Sequence, residues 1–215
     1  NKLLFQNNLR FDRACCSLSP GTSLWNFAQQ FHSTERFSQI GGLDLLLRFD
    51  SSDDVILTRY LAETLFALPL LPNTQLFVEP LIDLDRTMDI THGLLDTLCN
   101  PRRTFHLVRC MNSLLFSENP DFRHTRIKSI NHDGFTVMAM QREKTEYTLL
   151  LPETSTDFLP GESRNFKSPV SGSDFLFDLE HGRKYSLLQT NRDQQTPRIR
   201  VTGPALRIRQ MPSSR

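Results

Sequence analysis

One tryptophan, three tyrosines, four cysteines and no long apolar run are found among the 215 residues of this sequence, and each shortage excludes something. The longest apolar stretches, such as Leu65 to Leu71, fall far short of the ~18 residues that a membrane-crossing helix requires, so no membrane partner is expected. No Cys-x-x-Cys pair occurs, and the adjacent Cys15 and Cys16 are poorly placed to bridge one another. Cys99 and Cys110 sit in patterns that read as helix interior, where a free thiol behaves as a small hydrophobe. A reducing compartment, cytoplasmic or nuclear, is the expectation.

The motifs that announce a reaction are also missing. There is no GxSxG, HExxH, GxxxxGK[ST] or GxGxxG. The six histidines are scattered, and the histidine–carboxylate neighbours Asp121 with His124 and His132 with Asp133 fall in loop-like sequence. A nucleophilic Cys15 or Cys16 would need a base that the sequence does not place. The sequence therefore predicts a protein that is not an enzyme, with no cofactor, no metal site and no evident small-molecule substrate.

What is present is ordinary globular material. Hydrophobic residues make up 38% and charged residues 23%, and sixteen phenylalanines supply burial area without a polar handle. The length suits one domain or two small ones with a real core. The sequence opens on Asn1 and not on Met, which reads as a fragment or a processed product. Charge is unevenly placed. From Gly182 onward eight Lys and Arg residues stand against Asp193 alone, a net of +7 in a chain whose total is +1. Such asymmetry points either to an acidic partner for the tail or to the chain's own acidic body.

From Thr22 to about Glu118 the apolar spacing reads as helical. Leu24, Phe27, Ala28 and Phe31 share one face, and Leu57, Leu61, Leu65 and Leu68 form a second stripe, with Ser51 to Asp54 offering N-cap chemistry before it. "GGLDLLLRF", "TQLFVEPLIDL", "DITHGLLDTLCN" and "RRTFHLVRCMNSLLF" are read as further helices, with Pro101 placed to open one. The run from Gly41 to Leu68, loosely repeated from His92 to Phe116, resembles an armadillo or HEAT-type helical repeat: a small-residue turn, a short polar link, then a longer stacking helix. The resemblance covers residues 22–118. It implies a helical surface for a protein partner.

Beyond Arg126 the period changes. "RIKSI", "FTVMAMQ" and "YTLLL" are short β-favouring runs joined by turn residues, which predicts a three-stranded meander over 126–151. Residues 152–173 are rich in Ser, Pro and Gly and read as a linker or long loop. Residues 174–215 then carry hairpins and the basic tail. Its near-palindrome "PRIRVTGPALRIRQ" predicts a hairpin turning at Thr202–Ala205, with Ile, Val and Leu on one face and Arg198, Arg200, Arg207 and Arg209 on the other.

These readings add up to an α+β protein. A lead-in over 1–21 precedes an N-terminal helical-repeat-like bundle over 22–125, and a β-rich C-terminal half of antiparallel hairpins follows. The expected function is a non-enzymatic protein-interaction or scaffold module, with Arg183, Lys184, Arg192, Arg198, Arg200, Arg207 and Arg209 contacting an acidic protein partner. The alternative is a nucleic-acid-associated protein that binds phosphates through the same arginines.

Overall fold

The structure is a computed structural model that describes residues 12–18, 22–32, 41–49, 53–71, 73–86, 89–116, 128–132, 134–153, 164–167, 174–186 and 198–211. The chain divides into two compact units, Asn1–Arg102 and Arg103–Arg215.

The first unit is not a helical bundle. Strand β1 (Ala14–Leu18), helix α1 (Leu24–His32), strand β2 (Leu43–Arg48), helix α2 (Asp54–Ala67) and strand β3 (Thr74–Glu79) follow one another as a β-α-β-α-β run. The strands are parallel, in the order β1-β2-β3. Two segments expected as helices are therefore strands, "GGLDLLLRF" in its centre and "TQLFVEPLIDL" over its first six residues, and the armadillo-like resemblance fails with them. The physical reason lies in β2. A strand with helices on one side needs a dense apolar run, and over six residues such a run has no period that separates strand from helix. The burial does separate them: Leu43, Leu45 and Leu47 are buried, while Asp44 and Leu46 between them are only half-buried.

Helix α2 is where the apolar stripe reads true. Asp53 is the N-cap, its Oδ1 accepting from the Val55 and Ile56 N–H groups at 2.8 and 3.2 Å. Leu57, Leu61 and Leu65 are buried. So are Thr58 and Thr64. Their hydroxyls donate to the carbonyls one turn back, Asp54 O at 2.5 Å and Tyr60 O at 2.9 Å, and so reach the interior already paired. Trp25 of α1 stacks on Phe66 of α2 with ring centroids 5.4 Å apart, which locks the two helices together.

After β3 the chain makes a short two-stranded ribbon, β4 (Leu84–Arg86) with β5 (Asp89–Thr91), and closes the unit with a turn around Asp96. Cys99 stands in that turn with φ 64° and is exposed, so it is not the helix-interior thiol expected.

The second unit opens with helix α3 (Arg103–Leu115), which buries Leu107, Met111 and Leu115. Strands β6 (Lys128–His132), β7 (Phe135–Arg142) and β8 (Thr145–Pro152) form an antiparallel meander. Strand β9 (Arg164–Lys167) falls inside the stretch expected as a linker; the rest of 154–173 lies outside the described residues. Strands β10 (Asp174–Asp178), β11 (Arg183–Ser186), β12 (Arg198–Val201) and β13 (Ala205–Gln210) follow. One sheet runs β11-β10-β13-β8-β7-β6, and β12 pairs with β9 in a separate ribbon. Val201 of β12 joins Phe135, Leu150, Leu176 and Ala205 in one apolar cluster, which fastens that ribbon to the larger sheet.

This arrangement dissolves the expected arginine hairpin. Arg200 lies opposite Asn165 of β9, whereas Arg207 lies between Leu176 of β10 and Thr148 of β8. The two halves of the palindrome do not pair with each other. Like charges stacked across a hairpin repel, and sending the two strands to different sheets avoids that cost.

Candidate functional site

In a parallel α/β sheet the side chains that follow the carboxyl ends of the strands converge on one edge, and ligands bind there. At this edge of the first unit stand Arg48 and Glu79, the last residues of β2 and β3, directly opposite in register. Arg48 Nε donates to Glu79 Oε2 at 3.1 Å, with both side chains more than half exposed. Just beyond them the Phe49 N–H donates to the Glu79 carbonyl at 2.8 Å and ties the two strand ends together.

A second set of charges lies further along the same connections. Asp54, on the first turn of α2 and so just past β2, accepts from His92 Nδ1 at 3.0 Å and faces Arg102 Nη1 at 3.5 Å. Arg102 in turn donates through Nε to Asp83 Oδ1 at 3.0 Å, and its Nη2 meets Asp83 Oδ2. Asp83 also accepts the Gly93 N–H at 2.8 Å. The chain can make that last contact only with glycine, because a Cβ at 93 would come within 2.7 Å of the Ile82 backbone. Burial pushes the Asp83 carboxyl up, but the hydrogen bonds from Arg102 and Gly93, with the guanidinium charge, outweigh it and hold the group below its ordinary value. The hydrogen bond that Arg102 donates to Asp83 likewise raises Arg102, against the pull of burial, with the charges of Asp83, Asp54 and Asp96 adding to it.

The two sets do different work. Asp54, His92, Asp83 and Arg102 satisfy one another and clamp the segment after β3 onto the start of α2. Arg48 and Glu79 face water, a donor and an acceptor side by side, free to exchange their mutual contact for hydroxyl groups of a ligand. Among the described residues no group of three His, Cys, Asp or Glu side chains gathers as a metal would require. On the opposite edge Arg13 holds Asp44 and reaches the carbonyls of Leu43 and Asn73, a purely architectural role.

The described basic residues expected as a partner surface are spread over strands β11, β12 and β13. Arg183 and Lys184 are exposed on the edge strand β11, where Lys184 Nζ sits 3.9 Å from the Phe175 ring centroid. Arg198 and Arg200 belong to β12, in a different sheet, and their side chains lie outside the described residues, as does Arg192. Arg209 is half-buried on β13. Arg207 is buried and carries out an internal task. Its Nε donates to Asp174 at 2.9 and 3.1 Å, and the Asp174 side chain has no exposed surface. Sequence reasoning missed Arg48 and Glu79, although each is the charge that ends a short apolar run, "LLLR" and "LFVE".

No described protein family and no curated protein matches this chain in sequence. Solved structures do match in fold. The crystal structure of a GH30 endoxylanase from Clostridium papyrosolvens C71 aligns over 93% of this chain with a TM-score of 0.52 at 11% identity. The chain spans about half, 49%, of that enzyme's length. An α-amylase from Anoxybacillus aligns at 0.45 and 11% identity, covering 89% of this chain and 47% of the amylase. An α-amylase from Geobacillus thermoleovorans in complex with acarbose aligns at 0.44 and 12% identity, over 87% and 42% of the two chains. The two amylase scores are too low to carry an argument. The endoxylanase likeness is one of fold, and it agrees with the β-α-β-α-β order seen above. It overturns the armadillo reading, and with it the expectation of a non-enzymatic scaffold and the alternative of a phosphate-binding nucleic-acid protein. Both rested on a helical surface or a united arginine face, and neither exists among the described residues. The endoxylanase that shares this fold is itself an enzyme, unlike the non-enzyme expected from the sequence.

Proposed function

We propose that this chain belongs to a carbohydrate-active protein of glycoside-hydrolase type, and that it meets its sugar at the carboxyl edge of the β1-β2-β3 sheet. The observation that supports this most is the exposed Arg48–Glu79 pair at the ends of β2 and β3, where an α/β sheet presents its chemistry. A guanidinium beside a carboxylate offers a donor and an acceptor a few ångströms apart, which suits two neighbouring hydroxyls of a sugar ring. Glycoside hydrolysis also calls on carboxylates, one to protonate the leaving oxygen and one to attack or to activate water. Among the described residues Glu79 is an exposed carboxylate at this edge. The test uses the protein purified from its own source, offered xylo- and malto-oligosaccharides, with reducing-end release and binding both followed. Glu79→Gln should lower release, binding or both by at least tenfold. Absence of both binding and release for every oligosaccharide overturns the proposal. A Glu79→Gln variant as active as the parent removes Glu79 from the site.

A further inference from the structure

Strands β2 and β3 bring more than charge to the carboxyl edge. Burial alternates along β3: Gln75, Phe77 and Glu79 are exposed, while Thr74, Leu76 and Val78 between them are half-buried. Residues two apart in a strand share a face, so the three exposed side chains stand in one line. The parallel register sets Leu46 beside Phe77 and Arg48 beside Glu79 on that same face. Asp44 lies beside Gln75 but is held by Arg13, whose Nε donates to both carboxylate oxygens at 3.0 Å.

Phe77 is the unusual member of this line. Its side chain is 51% exposed in mid-strand, with polar side chains before and after it. A lone exposed apolar residue needs no explanation. Here, though, the ring lies about 7 Å along the strand from Glu79 on one side and from Gln75 on the other, and Arg48 stands diagonally across on β2. The result is an apolar plate with hydrogen-bonding groups at both ends. Glu79 accepts, Arg48 donates, and the Gln75 amide does both.

A pyranose ring is the chemical counterpart of that plate. Its carbon-bound hydrogens form apolar faces, slightly positive, that lie well against the negative face of an aromatic ring. Its hydroxyls project around the rim and both donate and accept. A flat hydrocarbon would leave Arg48, Glu79 and Gln75 unanswered, and a small anion would make no use of the ring. Arg48 and Glu79 also cancel in charge, which suits a neutral ligand. Contact area from an apolar surface, with a few placed polar groups to fix orientation, is how small-molecule sites achieve selectivity.

We infer that Phe77 is a specificity-determining residue of the carboxyl-edge site. One unit of an uncharged oligosaccharide lies with its carbon–hydrogen face on the Phe77 ring, while Arg48 and Glu79 at one end and Gln75 at the other take its hydroxyls. The inference rests on the sugar reading proposed above and adds to it the residue that holds the ring.

The test uses the protein and oligosaccharides of that proposal. In the parent, nuclear Overhauser contacts should join the Phe77 ring protons to carbon-bound protons of one sugar unit, and those sugar protons should shift upfield under the ring. Phe77→Leu keeps an apolar side chain but removes the flat face, and it should weaken binding about tenfold. Its urea midpoint, read from Trp25 fluorescence, should stay at the parent's value, because the replaced ring is half exposed. Phe77→Tyr, which keeps the flat ring, should bind as the parent does. The Overhauser contacts of the parent decide the matter should the leucine variant fail to fold. Binding unchanged in Phe77→Leu, or lost equally in Phe77→Leu and Phe77→Tyr, overturns the inference and leaves the sugar reading standing. So does a bound sugar that makes no contact with the Phe77 ring. A parent that binds no oligosaccharide overturns both.

Discussion

Removing the guanidinium of Arg207 should destabilise the second unit far more than a surface arginine would. Its partner Asp174 has no exposed side-chain surface, so Arg207→Gln strands a carboxylate away from water. Breaking one side of a buried pair in this way costs about 3–5 kcal/mol. Replacing both partners by apolar residues of similar size, Arg207→Met with Asp174→Leu, should recover most of that loss, because neither charge then needs solvation. The assay is urea unfolding followed by far-ultraviolet circular dichroism. For slopes of about 1–3 kcal/mol/M the single variant should lower the midpoint by roughly 1 M or more, and the double variant by much less. The lone tryptophan provides a control, since Trp25 is buried in the other unit and stacked on Phe66. Its fluorescence transition should move less than the dichroism signal. The reasoning is refuted if Arg207→Gln unfolds at the parent's urea concentration, for Arg207 would then be a solvated side chain as the sequence first suggested.

Three further outcomes follow from the same contacts. Leu61→Ala in α2, at a fully buried site, should cost about 2–5 kcal/mol, read from the tryptophan transition. Asp53→Ala removes the cap of the same helix and should cost about 1 kcal/mol, with a correspondingly smaller shift in the same assay. The Asp83 carboxyl is held below its ordinary value, so its contribution is complete above the unfolded-state pKa and is lost as pH falls through the lower folded value. Acid titration of the parent should show that loss, and Asp83→Asn should flatten the stability profile in the acid range.

Helix α2 could be read from the sequence because Leu57, Leu61 and Leu65 repeat at helical spacing within a helix of 14 residues, long enough for the period to show. The parallel strands could not. "LDLLL" is too short and too uniformly apolar to reveal a period of two. A different signal was available: β1, β2 and β3 begin at residues 14, 43 and 74, close to the roughly 30-residue spacing of β-α-β units. The loose repeat of the Gly41 run from His92 points elsewhere, and Gly93 is a close-approach glycine beside the Ile82 backbone and not the start of a repeat. Alternation in "PRIRVTGPALRIRQ" correctly marks two strands, but it carries no information on which strand each would pair with. Partner choice for β12 and β13 depends on β9 and β10, far away in sequence. The Arg48–Glu79 pair was hidden for the same reason, since each residue becomes part of a site only when two strands 31 residues apart are set side by side.

A chain that writes Arg-Ile-Arg twice offers two candidates for one berth, the slot between β10 and β8. Alternation and hydrophobicity serve either copy nearly as well, so they are weak guides to which one enters. Asp174 supplies the missing discrimination, because it rewards an arginine at one depth along the slot, and β13 brings Arg207 to that depth. By this reasoning Asp174 acts as a reading head for strand identity. Its replacement by leucine, with Arg207 kept, should yield a mixture of pairings, detectable by cross-linking cysteines placed at Phe175 and Ile208. A single, fully native cross-link in that variant would show that the surrounding sheet sorts the two strands without it.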